Sequence, residues 1–398
     1  MSRSKLRLVN FYYLFTIIIY FSGIYFPFIR VGVSMSLLMI IGIIILYINK
    51  SFSLKNQLDI LVFLYIIYNI FSFVFFTFSG LPMSVFIKEF SNSILPIIIF
   101  YFFGKINDYN SFYKITLYSL VVCFIIGFYF QFTVPSNYAI FMNKIDSIGT
   151  DPAHFKVNYR SFLGLTATGS LSALGVLLSF GILQKSKFKK GKIMLSICFI
   201  ALILTFRRAA LYTGFFALLW INYLLFFKFK GAKFKLLLLE FLIFFSFMYY
   251  FLDSNPEFLD DLLERFSSLS SAVDERSDSW FNGLSNTQNL LFGDGLGRYG
   301  HKAVEYSKLY IPDGNYFRMI GELGIFGFLL FIFIIFTSIY NALPKLKESY
   351  IELGVVIMVC MQAVGSDIIS FQLVAPIFWY SIGRCSRYSS LNKKKVLV

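Results

Sequence analysis

The sequence predicts an all-α integral membrane protein of about 12 transmembrane helices with one large helical extracytoplasmic loop. Three observations predict it. Hydrophobic residues make up 58% of the 398, at a mean hydropathy of +0.71, more apolar surface than a soluble fold could cover. The apolar residues fall in runs close to the roughly 20 residues a helix needs to cross hydrocarbon. Lys and Arg sit in short clusters between those runs. The net charge of +15 therefore reads as a topology signal, and no nucleic-acid partner is expected. The 52 Phe and 26 Tyr suit lipid and interfaces.

The runs place spans at residues 11–28, 31–47, 58–78, 85–103, 112–132 and 162–183, then 193–206, 209–227, 236–251, 319–339, 351–364 and 368–382. The first follows Arg3, Lys5 and Arg7 without a small-residue cleavage site, so it reads as a retained helix. With the N-terminus in the cytoplasm and spans alternating, each cytoplasmic segment is basic. The strongest clusters, residues 185–192, 228–235 and 384–395, share one side. Both termini are then cytoplasmic. Residues 1–251 hold the first nine spans, 252–318 an extracytoplasmic subdomain, and 319–398 the last three spans and a tail. Within the subdomain, Asn255-Pro256 precedes an amphipathic spacing through Phe266. A second helical stretch is expected over 274–291, with Trp280, Phe281 and Leu284 as its apolar side. Cys123, Cys198, Cys360 and Cys385 match neither a metal site nor a disulfide framework.

Against the positive-inside bias, Arg160, Arg207, Arg208, Arg276, Arg298 and Arg318 all fall on the outer side. The span before Arg207 covers about 21 Å, short of about 30 Å of hydrocarbon, so the Arg207-Arg208 pair sits below the surface and needs an aqueous cavity or an anionic partner. Asp367, in the short hairpin Gly365-Ser366-Asp367, is placed to share that cavity. Planar, permanently charged guanidinium matches phosphate oxygens. The alternative is that each Arg snorkels to headgroups or pairs with a loop carboxylate such as Asp274 or Glu275. Lys88-Glu89 lies in the fourth span, and adjacent residues cannot face each other on a helix, so each needs another partner, either a structural ion pair or substrate. Gly293, Gly295 and Gly297 form a tight, flexible turn; no Walker lysine accompanies them. The histidines, His154 and His301, are too few for a zinc site, and each is a loop residue or a proton acceptor.

Taken in order, Phe206-Arg-Arg-Ala-Ala210, Asp274-Glu-Arg-Ser-Asp-Ser-Trp280, Leu291-Phe-Gly-Asp-Gly-Leu-Gly297, Pro312-Asp-Gly-Asn-Tyr-Phe-Arg318 and Gly321-Glu-Leu-Gly-Ile-Phe-Gly327 resemble the O-antigen ligase and Wzy-type polymerase superfamily. Arg160 before Gly164 and Gly169 resembles another of its outer Arg positions. Ligases of that superfamily carry His where Asp313 stands, and Gly314 displaces the following Asn, which favours a polymerase. The resemblance implies a multi-span, GT-C-like glycosyltransferase of the bacterial cytoplasmic (inner) membrane. Its donor would be a glycan on polyprenyl diphosphate, its acceptor a lipid-linked repeat unit, with no metal or other cofactor. A chain-length regulator is a partner implied by the same resemblance.

On this reading Arg160, Arg207, Arg208, Arg276 and Arg318 would bind the diphosphate, and Asp313 would take the acceptor's proton, with Glu322 and His301 in reserve. Glu322 lies at i+4 from Arg318, so those two can instead pair with each other. Asp313-Gly314-Asn315 can also be read as a turn that caps the tenth span. The competing readings are a ligase with a lipid A core acceptor and, from another class, a flippase or exporter of lipid-linked sugars.

Overall fold

The computed structural model describes residues 7–49, 51–107, 111–146, 149, 151, 158–185, 189–224, 269–307, 309–311 and 313–396. Among them the regular structure is entirely helical. In chain order the helices are α1 (Tyr12–Tyr25), α2 (Val31–Ile48), α3 (Gln57–Thr77), α4 (Met83–Pro96), α5 (Phe102–Ile106), α6 (Ser111–Thr133) and α7 (Ser136–Asp146). They continue with α8 (Leu165–Lys185), α9 (Lys189–Leu204), α10 (Arg208–Tyr223), α11 (Leu269–Ser285), α12 (Asn315–Ala342), α13 (Leu346–Gln362) and α14 (Ala375–Val396). A π-helical turn, Ile97–Tyr101, joins α4 to α5 just after Pro96, which has no N–H to give the regular ladder.

Among the described residues, six stretches are long and apolar enough to cross a membrane: Leu8–Tyr25, Val31–Ile48, Gln57–Thr77, Met83–Ile106, Ser111–Thr133 and Asn315–Gln362. Their outward faces are apolar too. On α2, Leu37, Ile40, Ile41 and Ile44 are exposed, which water would penalise and hydrocarbon would not. By contrast, the apolar stretch Leu165–Phe180 of α8 is buried nearly all round. Gly169, Ser172, Ala173 and Gly175 keep it slim enough for α9 and α10 to pack closely on it.

α14 packs against α5, the π turn, α12 and α13. A side chain at Gly383 would strike the Tyr101 carbonyl, and one at Gly104 the Tyr380 carbonyl, so both positions require glycine for close approach. Among the described residues near this end the buried charges are paired, as low dielectric demands. Asp59 meets Lys105 at 2.5 Å, the Tyr101 hydroxyl at 2.6 Å and Ser386 at 2.9 Å, and it closes a capping box with Asn56 at the start of α3. Glu352 meets Arg384 at 3.0 Å.

The main departure from the expected spans lies in α12. Gly324 (φ 67°, ψ −179°) breaks the helix, freeing backbone groups on both sides of it. Residues 290–295 satisfy them. Asp294 N–H donates to the Gly321 carbonyl (2.9 Å) and Gly295 N–H to that of Glu322 (2.9 Å). Ile325 N–H donates to Leu290 (2.9 Å) and Phe326 N–H to Leu291 (3.2 Å). Broken helices persist at membrane depth only when buried protein meets their orphan groups in this way. The glycines are steric requirements: a Cβ at Gly293 would overlap the Glu322 backbone, and one at Gly295 that of Phe76. The expected flexible turn is thus a packed one.

Other expectations change as well. The last helix begins at Ala375, whereas a span was expected from residue 368; the apolar run before it is a buried turn in which Asn315 Oδ1 accepts the Ile369 N–H at 2.8 Å. Asn315 is therefore a tie to that turn, and no side chain caps α12. Helix α11 ends at Ser285 rather than 291, because the following residues leave to dock on the α12 break. Its packed face is Trp280 and Gly283, while Phe281 stays 64% exposed. The short helix α7 lies in a stretch expected to be a loop. The expected span at 236–251, the amphipathic stretch 255–266 and His154 lie outside the described residues.

Candidate functional site

Arg207 stands at the bend between α9 and α10. Phe206 turns the chain with φ +50°, and Arg207 precedes α10 in extended conformation. Its aliphatic stem packs over Gly169, where a Cβ would lie 3.3 Å from Arg207 Cβ, and its guanidinium donates to the Thr166 hydroxyl. Arg160 approaches from the segment before α8, with Nε 3.3 Å from Asp146 Oδ2 at the end of α7. Arg276 approaches from α11 and meets Asp313 at 3.4 Å, both side chains more than a third exposed. The stacking of Trp280 on Phe317 (4.6 Å between ring centres) fixes α11 over the start of α12, and Arg276 lies one turn before Trp280 on the same face. Trp280 also covers Gly314, which leaves no room there for a Cβ.

These groups act on one another. Burial lowers the proton affinity of the Arg207 guanidinium; Asp313 and Asp146 oppose that, and Arg276 and Arg160 reinforce it. Among the described residues, three arginines thus share a neighbourhood with two carboxylates, an excess of positive charge. Arg208 is half-buried at the first turn of α10, beside this group in sequence. Among the described residues, four non-glycine residues have positive φ, and three of them adjoin this centre: Ser161 (53°), Phe206 (50°) and Asp313 (47°). Such conformations cost of order 1–3 kcal/mol each and persist where the surroundings impose them, often at functional sites.

Arg318 belongs to a second centre. Its guanidinium meets Glu89, Glu322 (3.2 Å) and Asp367 (2.6 Å), and donates to Ser370 (3.1 Å). The four charged side chains are at most 7% exposed. A diphosphate could not take Arg318 without displacing these carboxylates, so it stands apart from the clamp expected of it. Glu322 pairs with it at i+4 and also accepts the Tyr299 N–H (3.3 Å), which leaves it engaged rather than available as a base. Glu89 finds its partner here, whereas Lys88 is exposed. Asp367 indeed faces charge, but that of Arg318. His301, 56% exposed, reaches Asp367 at 3.9 Å and contacts the Tyr310 hydroxyl at 2.7 Å. Burial, then Asp367 and Asp313 in turn, hold the Tyr310 phenol above its ordinary value, so Tyr310 lies where the two centres adjoin. Among the described residues, no cluster of three or more His, Cys, Asp or Glu is placed to hold a metal ion.

Sequence reasoning missed Asp146 and Tyr310; for Glu89 it offered a structural ion pair as one of two readings, and the pairing with Arg318 is that one. Asp146 had one legible signal, an acid three residues ahead of Gly149 in a stretch expected on the outer side that also carries Arg160. Burial raises its carboxyl pKa above the ordinary 3.8 despite its Leu165 N–H bond and the neighbouring arginines. A carboxyl that holds its proton more tightly folded than unfolded favours the fold below pH 3.8 and loses that contribution as pH rises through the raised value. Asp146→Asn should therefore flatten the decline of Tm between pH 4 and neutrality without lowering Tm at pH 7. A lower Tm at pH 7 would show that its ion pair with Arg160 outweighs the burial cost.

No protein-family model matches the chain, and none of the curated proteins compared with it matches its sequence.

Proposed function

We propose that the chain is a Wzy-type polysaccharide polymerase, a glycosyltransferase that moves a growing glycan from polyprenyl diphosphate onto a lipid-linked repeat unit. The proposal includes about 12 spans of GT-C-like arrangement in a bacterial inner membrane. Both termini lie in the cytoplasm, and the arginine centre is on the extracytoplasmic face. The observation that carries it is the gathering of Arg160, Arg207 and Arg276, from three distant chain segments, with a positive excess over Asp146 and Asp313. A membrane protein has little reason to concentrate cations there unless an anion is to meet them.

In this reading the three arginines, with Arg208 beside them, receive the lipid diphosphate. An acceptor hydroxyl attacks the anomeric carbon, and the bond from that carbon to the phosphate oxygen breaks. The electron pair leaves on the lipid diphosphate, whose charge the arginines stabilise. Once the diphosphate engages Arg276, Asp313 is released to accept the hydroxyl proton; His301 is the exposed reserve. One displacement inverts the anomeric centre. Arg318 and Glu322 keep the floor of the site in place.

The test is incubation of purified protein with a synthetic polyprenyl-diphosphate repeat unit, with no nucleotide or metal added, and a gel of product length. A ladder should form, weakened about 10²-fold or more in Arg276→Ala and Asp313→Asn. Movement of the substrate across liposomes with no new glycosidic bond would replace the enzyme with a transporter. A single transfer, and only to a lipid A core acceptor, would make it a ligase.

A further inference from the structure

We infer that the cavity between the end of α3 and the 288–298 loop is a saccharide-binding subsite, separate from the arginine centre. The inference rests on the glycan-handling reading above and adds a second contact with the glycan. The cavity measures about 180 Å³. An apolar cavity of about 150 Å³ admits a benzene molecule, so one six-membered ring fits.

Its lining is of two kinds. Phe75 and Phe78 supply aromatic surface from α3 and the residue that ends it. Phe75 is held in place by stacking on Phe292 (5.8 Å, 10°), while Phe78 is 78% exposed. Opposite them stand Gln288, Asn289, Asp294 and Arg298. A pyranose has the same duality: a face of C–H groups, which an electron-rich ring attracts, and a rim of hydroxyls that need donors and acceptors. An acyl chain would satisfy the rings and strand the polar groups.

The polar wall is rigid and keeps capacity to bind. Asp294 accepts the N–H groups of Gln288 (3.0 Å) and Asn289 (3.0 Å) and the Tyr299 hydroxyl (2.6 Å), so it fixes the wall and has little left for a ligand. Arg298 spends one N–H on the Ser79 carbonyl (2.9 Å). Guanidinium carries five donors, and no other hydrogen bond of the Arg298 guanidinium to protein is formed among the described residues. The Gln288 carboxamide is exposed. These two are the groups that meet the sugar hydroxyls.

The position suits a growing chain. Gly297, next to Arg298, packs on Glu89, with a Cβ there 3.1 Å from the Glu89 side chain. The cavity and the Arg318 centre therefore lie on two sides of one turn. A saccharide held here is steadied away from the reacting end, which matters for an enzyme that must retain its glycan between additions.

The experiment is saturation-transfer-difference NMR on the full chain in lipid nanodiscs. The probes are methyl glycosides of a hexose, an N-acetylhexosamine and a hexuronate. At least one should give ring-proton transfer that falls at least fivefold in Phe78→Ala and in Gln288→Ala, both at exposed side chains, and persists in Phe281→Ala outside the lining. No transfer from any glycoside, or transfer unchanged in both cavity variants, overturns the subsite. Polymer synthesis, measured separately, distinguishes the two readings. Glycoside binding without a ladder sinks the polymerase and leaves the subsite, while a ladder without glycoside binding does the reverse.

Discussion

Arg207→Ala is expected to lower polymer synthesis by about 10²–10³-fold, the loss typical when one preorganised donor to a developing anion is removed. Arg207 is the group on which Asp313, Asp146, Arg276 and Arg160 all act, and the Thr166 hydroxyl and Gly169 hold it in place. The leaving diphosphate gains charge as the glycosidic bond breaks, so kcat should fall more than KM rises. Arg207→Lys should fall nearly as far. An ammonium keeps the charge but loses the planar fork that meets two phosphate oxygens at once. Thermal denaturation in detergent should change little in either variant, because the alanine relieves a buried excess of like charge. Full synthesis in Arg207→Lys would reduce the residue to a general electrostatic contributor. Full synthesis in Arg207→Ala would remove the clamp.

Arg318→Met should act on stability first. Glu89, Glu322 and Asp367 would then share a buried site with no cation. Removing one partner of a buried ion pair costs about 3–5 kcal/mol, and here three carboxylates lose the same partner. The expected result is a large drop in folded yield and in Tm in detergent. Neutralising two carboxylates in the same chain, Glu89→Gln with Glu322→Gln, should recover much of the Tm, since these groups couple directly. A variant that folds with wild-type Tm yet makes no polymer would return Arg318 to the diphosphate clamp.

The two arginines also mark how far the sequence could be read. Arg207 was legible because it follows an apolar run too short to carry it clear of the membrane, and so it needed an anion. Arg276 was legible through its place before Trp280, and the stacking on Phe317 supplies the reason for that spacing. Arg318 carried the same outward signal, but its charge is taken by groups 229 and 49 residues away, and no local pattern reports such partners. Helices α1 to α3 and α6 followed from their apolar runs within a few residues. The apolar run from residue 368 was read as helix because burial alone does not separate a helix from a packed turn. The break at Gly324 was hidden for a related reason: one glycine in an apolar run is usually tolerated, and only the docked 290–295 backbone makes it a break.

The pairing of Glu89 with Arg318 has a consequence for how the chain is made. During synthesis α4 enters the bilayer long before its cation exists. Arg318 lies 229 residues further on, which takes roughly 10–50 s to translate at about 5–20 residues per second. An acidic side chain without its partner is costly in hydrocarbon, so the packing of α4 stays incomplete until Arg318 arrives. The latch between α4 and α12 then belongs to the last stage of biogenesis, when α12 arrives, and a ribosome stalled before Arg318 would leave an unlatched intermediate for quality control to find.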